Sequence, residues 1–159
     1  MVNKMDLTEK QISFDYKFKG KIVNLRVDDA LLPNGTTAKR EIVEHNGGVC
    51  VVALTENDEI LLVKQFRYPY FEQILEIPAG KRDSLDEEPI ECGIRELKEE
   101  TGILCNSFEL IGRTVTKDTI YYTYVCTTDW DKTNVTLQQG ETEDFVWMSE
   151  REFAAFVNS

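Results

Sequence analysis

A chain of 159 residues, 42% of them hydrophobic, can bury a real core and fits one domain with short extensions. Its formal net charge of −11 argues against nucleic acid or an anionic membrane as a partner over any broad surface, so an anionic ligand must be drawn by local positive charge. No run of about 18 apolar residues is present to span a membrane, and the first residues hold no apolar signal core, so a cytoplasmic location is expected.

In chain order, strands are expected over 12–18, 21–32 and 37–45, with Pro33-Asn34-Gly35 as a turn. These form an N-terminal strand segment, residues 1–45, ahead of a main domain, residues 46–159. Residues 49–54 and 60–66 read as two apolar strands joined in a hairpin by the polar run from Glu56 to Glu59. The apolar run from Ile74 to Ile77 reads as another strand, closed by Pro78-Ala79-Gly80. Ser84 followed by Glu87 has the form of a capping box, and Pro89 is tolerable only in a first helical turn. Ile90, Ile94, Leu97 and Thr101 recur at helical spacing and are expected to face the core, with Gly102 at the stop position. Strands follow at 108–114, 119–127 and 143–148, with a polar stretch before the last, and Ser149 with Glu152 opens a short final helix. Strands mixed with two helices give an α+β or α/β/α arrangement.

Cys50, Cys92, Cys105 and Cys126 show no C-x-x-C spacing and are read as buried, reduced thiols. His45 is the only histidine, which disfavours a Ser-His-Asp triad or a histidine-rich zinc site.

The most informative stretch ends the first helix. Residues three and four apart share a helix face, so Glu96, Glu99 and Glu100 point toward one patch. Left alone they repel, each i,i+4 like-charge pair costing roughly 0.2–0.5 kcal/mol. Two readings stand: a solvated acidic face, or a site where a hard cation gathers the carboxylates. Oxygen ligands without histidine or thiolate suit Mg²⁺ or Mn²⁺ rather than zinc. Arg95 is placed to pair Glu91 or Glu99 and hold a carboxylate in position.

Arg95-Glu96-Leu97-Lys98-Glu99-Glu100-Thr101-Gly102-Ile103 matches every specified position in the second half of the Nudix box, and Glu87 stands the required seven residues before Arg95. At these residues the chain resembles the Nudix hydrolases. It departs at the front of the box, where six residues rather than five separate Gly80 from Glu87, so either the loop holds an extra residue or Asp86 takes the role of Glu87. The resemblance implies a Nudix-type α/β/α sandwich with a mixed sheet.

Four further segments resemble the ADP-ribose pyrophosphatase branch: Asn34-Gly35, Lys39 to His45, Leu62 to Pro69 and Leu75 to Lys81. That likeness implies a homodimer whose N-terminal strands help build the adenosine side of the site, Arg67 on the substrate phosphates, and Arg40 reaching the nucleotide from a partner subunit. Phe14, Tyr16 and Phe18 offer either a stacking face or ordinary packing. Two positions depart from the branch: Thr119 stands where a proline is usual, and Tyr121 stands where a tyrosine is associated with dinucleoside polyphosphate hydrolases.

The expected chemistry is metal-assisted hydrolysis of a nucleoside diphosphate derivative, ADP-ribose first. The ligand set implied is Glu96, Glu99 and Glu100 with the main-chain carbonyl of Ala79, and Arg95 is a positioning residue. Glu141 is the expected general base, with Glu143 the second candidate. Dinucleoside polyphosphate hydrolysis, a nucleotide-sensing module without catalysis and isomerase chemistry are the other readings.

Overall fold

The computed structural model describes residues 6–116 and 119–158. The chain divides into two compact units, one running to His45 and the other starting at Asn46. The first is an antiparallel sheet of β1 (Lys10–Lys19), β2 (Asn24–Leu31) and β3 (Thr37–Glu44), in that order. Its second hairpin turns at Gly35, whose φ of 81° is open to glycine at little cost, and Asn34 Oδ1 accepts the Thr36 N–H at 3.0 Å. β2 begins later than expected because Gly20 N–H bonds the Val23 carbonyl at 3.0 Å, turning the chain before Asn24. Asp28, buried in this sheet, accepts from Arg26 Nε at 2.7 Å and Gln11 Nε2 at 2.6 Å, which satisfies a charge that burial would otherwise penalise.

The second unit runs β4 (Gly48–Thr55), β5 (Ile60–Arg67), β6 (Glu72–Glu76), β7 (Ala79–Lys81), α1 (Pro89–Thr101), β8 (Glu109–Val115), β9 (Ile120–Thr128), β10 (Thr142–Met148) and α2 (Glu150–Val157). Its seven strands form one sheet, ordered β10-β5-β4-β9-β8, with β6 on β5 and β7 on β4. β4 and β9 are parallel and the other pairs antiparallel, so the sheet is mixed and the unit is α+β. The β4–β5 hairpin closes with Thr55 N–H on Glu59 O at 3.0 Å and Asp58 at a φ of 58°.

The sheet forks beside the helix. β4 pairs β5 at its end, Leu54 opposite Ile60, but pairs β7 at its start, where Val49 faces Gly80 and Cys50 faces Ala79. β7 was not foreseen, because Pro78 breaks the donor pattern between it and β6; the Pro78 carbonyl still accepts Val51 N–H at 2.9 Å. The fork brings Ala79 and Gly80 alongside β4, on which α1 also packs.

Val51, Ala53, Leu61, Leu97, Ile103 and Cys126 make the core. In β5, Ile60 to Val63 are all buried, the continuous apolar run of a strand covered on both faces. Gly93 lets α1 lie close: a Cβ there would stand 3.1 Å from Val49 Cγ1 and 3.2 Å from Val51 Cγ2. The inward stripe of α1 is Cys92, Gly93, Leu97, Glu100 and Thr101, which corrects the expectation for Ile90 and Ile94. Both isoleucines are exposed, because the small residues at 92 and 93 take the face nearest the sheet. Gly102 ends the helix at a φ of 74°, its N–H on Lys98 O at 2.8 Å. α2 opens with the expected capping box: Ser149 Oγ accepts Glu152 N–H, and Glu152 Oε2 accepts Ser149 N–H at 2.9 Å. Among the described residues no helix is long and apolar enough to cross a membrane.

Candidate active site

The acidic turn is organised by Arg95. Its Nε donates to Glu87 Oε1 at 3.1 Å, and its Nη1 donates to Glu96 Oε1 at 2.6 Å and Glu99 Oε2 at 3.3 Å. Nη2 donates to the Lys81 carbonyl at 3.2 Å, tying the helix to β7. Of the two expected partners, Glu91 or Glu99, Arg95 takes Glu99, and it adds Glu87 of the preceding loop. A long helical side chain leans toward the N-terminus of its helix, and Glu87 of the preceding loop lies in that direction.

The Ser84–Glu87 capping box does not form either. The helix is capped by Glu88 without a side-chain bond, and Ser84 Oγ instead accepts the N–H groups of Asp86 and Glu87, each at 3.2 Å, as a turn within the loop. The same loop absorbs the extra residue between Gly80 and Glu87. Arg82 pins it, donating to the carbonyls of Glu87 and Leu85, both at 2.7 Å, and of Asn46 at 3.2 Å. Glu87 Oε2 accepts the Asp83 N–H at 2.6 Å. Glu87 therefore keeps its bond to Arg95, and Asp86 stays exposed.

Gly80 is required by proximity. A Cβ built there would fall inside the Glu96 carboxylate, so the side chain of α1 lies directly on the backbone of β7. Burial raises the Glu96 pKa, with the bond from Arg95 opposing that shift. Glu100, only 4% exposed, points elsewhere: its Oε1 accepts from Gln65 Nε2 at 2.8 Å and its Oε2 from Ala79 N–H at 3.3 Å. Burial pushes its carboxyl up to about 7 against those two bonds.

As the side chains lie, no three His, Cys, Asp or Glu groups among the described residues form a cluster that clasps a cation. Arg95 supplies the positive charge between Glu87, Glu96 and Glu99. The donor chemistry nevertheless fits a hard divalent ion: three carboxylates from one helical turn, two of them largely withdrawn from water, beside a glycine strand that leaves room for them.

Gln65 connects this turn to a cleft. It lines a cavity of about 460 Å³ with Phe66, Arg67, Gly140, Glu141, Thr142 and Glu143. Three residues singled out in the sequence, Arg67, Glu141 and Glu143, thus share one cavity. Arg67 Nε is held by Glu76 Oε1 at 2.7 Å, and that hydrogen bond raises the pKa of the guanidinium. β10 pairs β5 with Thr142 opposite Gln65 and Asp144 opposite Lys64, so Glu143 is the odd residue of a bulge. Such bulges re-aim side chains at sites. Glu143 also accepts a hydrogen bond from Gln73. The Thr142 hydroxyl, buried at the cavity wall, has no hydrogen-bond partner.

Arg40 lies in the first unit, on β3, with Nη2 and Nε donating to Glu9 at 2.6 and 2.9 Å. Phe14 and Tyr16 of β1 meet edge to face at 5.8 Å, and Tyr16 OH donates to Glu44 at 3.0 Å. Sequence reasoning missed Gln65 and Thr142. The signal for Gln65 was present, since it stands two before Arg67 and so shares its face of the strand. Thr142 carried none.

The second unit is thus an α+β domain with an acidic helix beside a glycine strand and an arginine-bearing cleft at the sheet edge. The family model described as NUDIX domain matches residues 29–158, and the chain belongs to that family. An ADP-ribose pyrophosphatase of Bacillus subtilis (strain 168) is 46% identical over 117 residues, covering 74% of this chain and 59% of that protein. A methanol dehydrogenase activator of Bacillus methanolicus is 48% identical over 101 residues, 64% of this chain and 54% of its own. An ADP-ribose pyrophosphatase of Mycobacterium tuberculosis (strain ATCC 25618 / H37Rv) is 37% identical over 100 residues, 63% of this chain and 48% of its own. The chain spans about half the length of the curated relatives it matches. A solved structure of an ADP compounds hydrolase superposes with a TM-score of 0.71 at 15% identity, covering 98% of this chain and 86% of that one, a likeness of fold.

Proposed function

We propose that this chain is a metal-dependent pyrophosphohydrolase that cleaves the diphosphate linkage of a nucleoside diphosphate derivative, ADP-ribose foremost, to AMP and ribose 5-phosphate. The observation that carries the reading is the shared cavity of Arg67, Glu141 and Glu143, joined to the acidic turn through Gln65 and Glu100. Two relatives named ADP-ribose pyrophosphatase support the choice of substrate.

Glu96, Glu99 and Glu100, with the Ala79 carbonyl, are the groups that hold Mg²⁺ or Mn²⁺. The bound cation supplies polarisation of phosphorus, neutralisation of developing charge and activation of water. Arg95 keeps the carboxylates of Glu96 and Glu99 in place and does not react. Arg67 orients the diphosphate by charge-assisted hydrogen bonds. Glu141, or Glu143 in its place, takes the proton of the attacking water as the oxygen joins phosphorus and the P–O bond to the leaving phosphate breaks. Arg40 is assigned to the nucleotide across a homodimer, with the N-terminal unit as the dimerising segment; the exposed Ile12, Phe14 and Phe18 of β1 support such a contact. Four free cysteines support a reducing, cytoplasmic setting.

The test is a hydrolysis screen of ADP-ribose, other sugar nucleotides, dinucleoside polyphosphates and nucleoside triphosphates with Mg²⁺ and in parallel with Mn²⁺, products being identified by chromatography and nucleotide binding measured by calorimetry. AMP and ribose 5-phosphate from ADP-ribose are expected. Cleavage confined to triphosphates overturns the substrate, preference for dinucleoside polyphosphates selects the reading suggested by Tyr121, which is exposed on β9, and binding without cleavage in either metal overturns catalysis.

A further inference from the structure

Two thiols far apart in sequence meet outside the cleft. Cys105 follows the exit of α1, and Cys126 lies in β9, yet their sulfurs stand 2.7 Å apart. Cys126 is 2% exposed and belongs to the core with Val51, Leu97 and Ile103, while Cys105 is half-buried and packs against that cluster. A disulfide bond is about 2.0 Å long, so a small side-chain movement closes the gap.

We propose that Cys105 and Cys126 are a redox site that forms a reversible intramolecular disulfide on reaction with a hydroperoxide. Cys105, the more accessible sulfur, attacks as the thiolate. The contact with the Cys126 sulfur lowers the Cys105 pKa against the effect of burial, and the Cys126 thiol is correspondingly pushed up. With hydrogen peroxide as the hydroperoxide, the O–O bond breaks, one oxygen joins Cys105 as a sulfenic acid and the other leaves as water after taking up a proton. The Cys126 sulfur then attacks that sulfenic sulfur, the S–O bond breaks, and a second water departs with the thiol proton. Two thiols and one peroxide become one disulfide and two waters, the two electrons passing from sulfur to oxygen.

The surroundings favour this product over further oxidation. A sulfinate at Cys105 would set a negative charge against the apolar cluster, whereas the disulfide is neutral, and the resolving sulfur is already in contact. Cys50 and Cys92 provide an internal control. Cys50 faces Thr123 Oγ1 at 3.4 Å and the Tyr122 carbonyl at 3.7 Å. Cys92 is fully buried, and burial pushes its thiol up to about 12.

The experiment treats the full reduced chain with hydrogen peroxide near equimolar, then denatures it, alkylates it with N-ethylmaleimide and measures the intact mass. Alkylatable thiols are expected to fall from the four of the reduced chain to two, with the protein about 2 Da lighter before alkylation and restored by dithiothreitol. Peptide mapping is expected to join Cys105 to Cys126. In Cys126→Ser, dimedone is expected to trap a sulfenic acid on Cys105, and Cys105→Ser is expected to keep its remaining thiols. Four alkylations after peroxide overturn the proposal, as do a link through Cys50 or Cys92 and a gain of about 16 or 32 Da without a linked peptide. The wild-type mapping decides the matter even where a variant fails to fold.

Discussion

The acidic turn of α1 and the segment from Gly140 to Glu143 carry the same kind of side chain and are built in opposite ways. On the helix, each carboxylate is fastened: Glu96 and Glu99 to Arg95, Glu100 to Gln65 and Ala79. In the β10 segment, Glu141 and Glu143 are exposed around a cavity, and a bulge and one hydrogen bond from Gln73 set which way Glu143 turns. Ligands that must share one ion gain from a rigid turn, because their repulsion is overcome once and for all by the fold. A base that must meet water gains from an exposed position beside the substrate. On the proposed reading, preorganisation sits with the metal ligands and access with the general base.

The strongest way to break this contrast is to neutralise the fastened side. Glu99→Gln and Glu100→Gln are expected nearly to abolish turnover of ADP-ribose while circular dichroism and melting remain close to wild type. Undiminished hydrolysis by either variant would remove the metal assignment. On the exposed side, Glu141→Gln is expected to lower kcat by about 10²–10⁴-fold, the usual worth of a general base. If Glu143→Gln shows that loss instead, the roles of the two are exchanged. Initial rates across pH 5 to about 9 distinguish a lost base from a lost contact, since only the first removes the acid limb.

Gln65 sharpens the comparison because it belongs to both regions. Gln65→Leu should weaken Mn²⁺ binding by about 10–100-fold, as loss of a group holding a metal ligand does, with KM for ADP-ribose at saturating metal little changed. Titration calorimetry with Mn²⁺ alone checks it, and unaltered affinity would leave Gln65 a merely structural partner of Glu100. The smallest effect concerns pH. In the metal-free protein the Glu100 carboxyl is raised from 4.5 to about 7 by burial. The unfolded chain therefore releases its proton first, so this group's contribution to stability is complete below about pH 4.5 and is lost as pH rises through about 7. Thermal melts in chelator are expected to show that decline, and Glu100→Gln is expected to flatten it.

Legibility in the sequence followed the range of the forces involved. The turn of α1 was readable because helix geometry fixes which residues share a face from spacing alone. Even there, neighbours outside the helix decided details: Arg95 chose Glu87 over Glu91, and Ile90 and Ile94 turned outward because Cys92 and Gly93 offer the closer fit to β4. Pro78 hid β7, whose pairing with β4 depends on a partner from outside the local segment. The capping signature at Ser84 was misread because a serine beside free N–H groups serves a loop turn as well as a helix start.

By itself, the sequence determined that this is an α+β protein with a box of carboxylates on one helical turn, closed by Gly102, because those features rest on periodicity and on backbone angles that few residues adopt. Tertiary structure alone decided that Gln65 reaches Glu100, that Arg67 shares a cavity with Glu141 and Glu143, and that Cys105 touches Cys126. Each of those contacts joins distant strands or loops through sheet order and register, which long-range packing sets and no local pattern encodes.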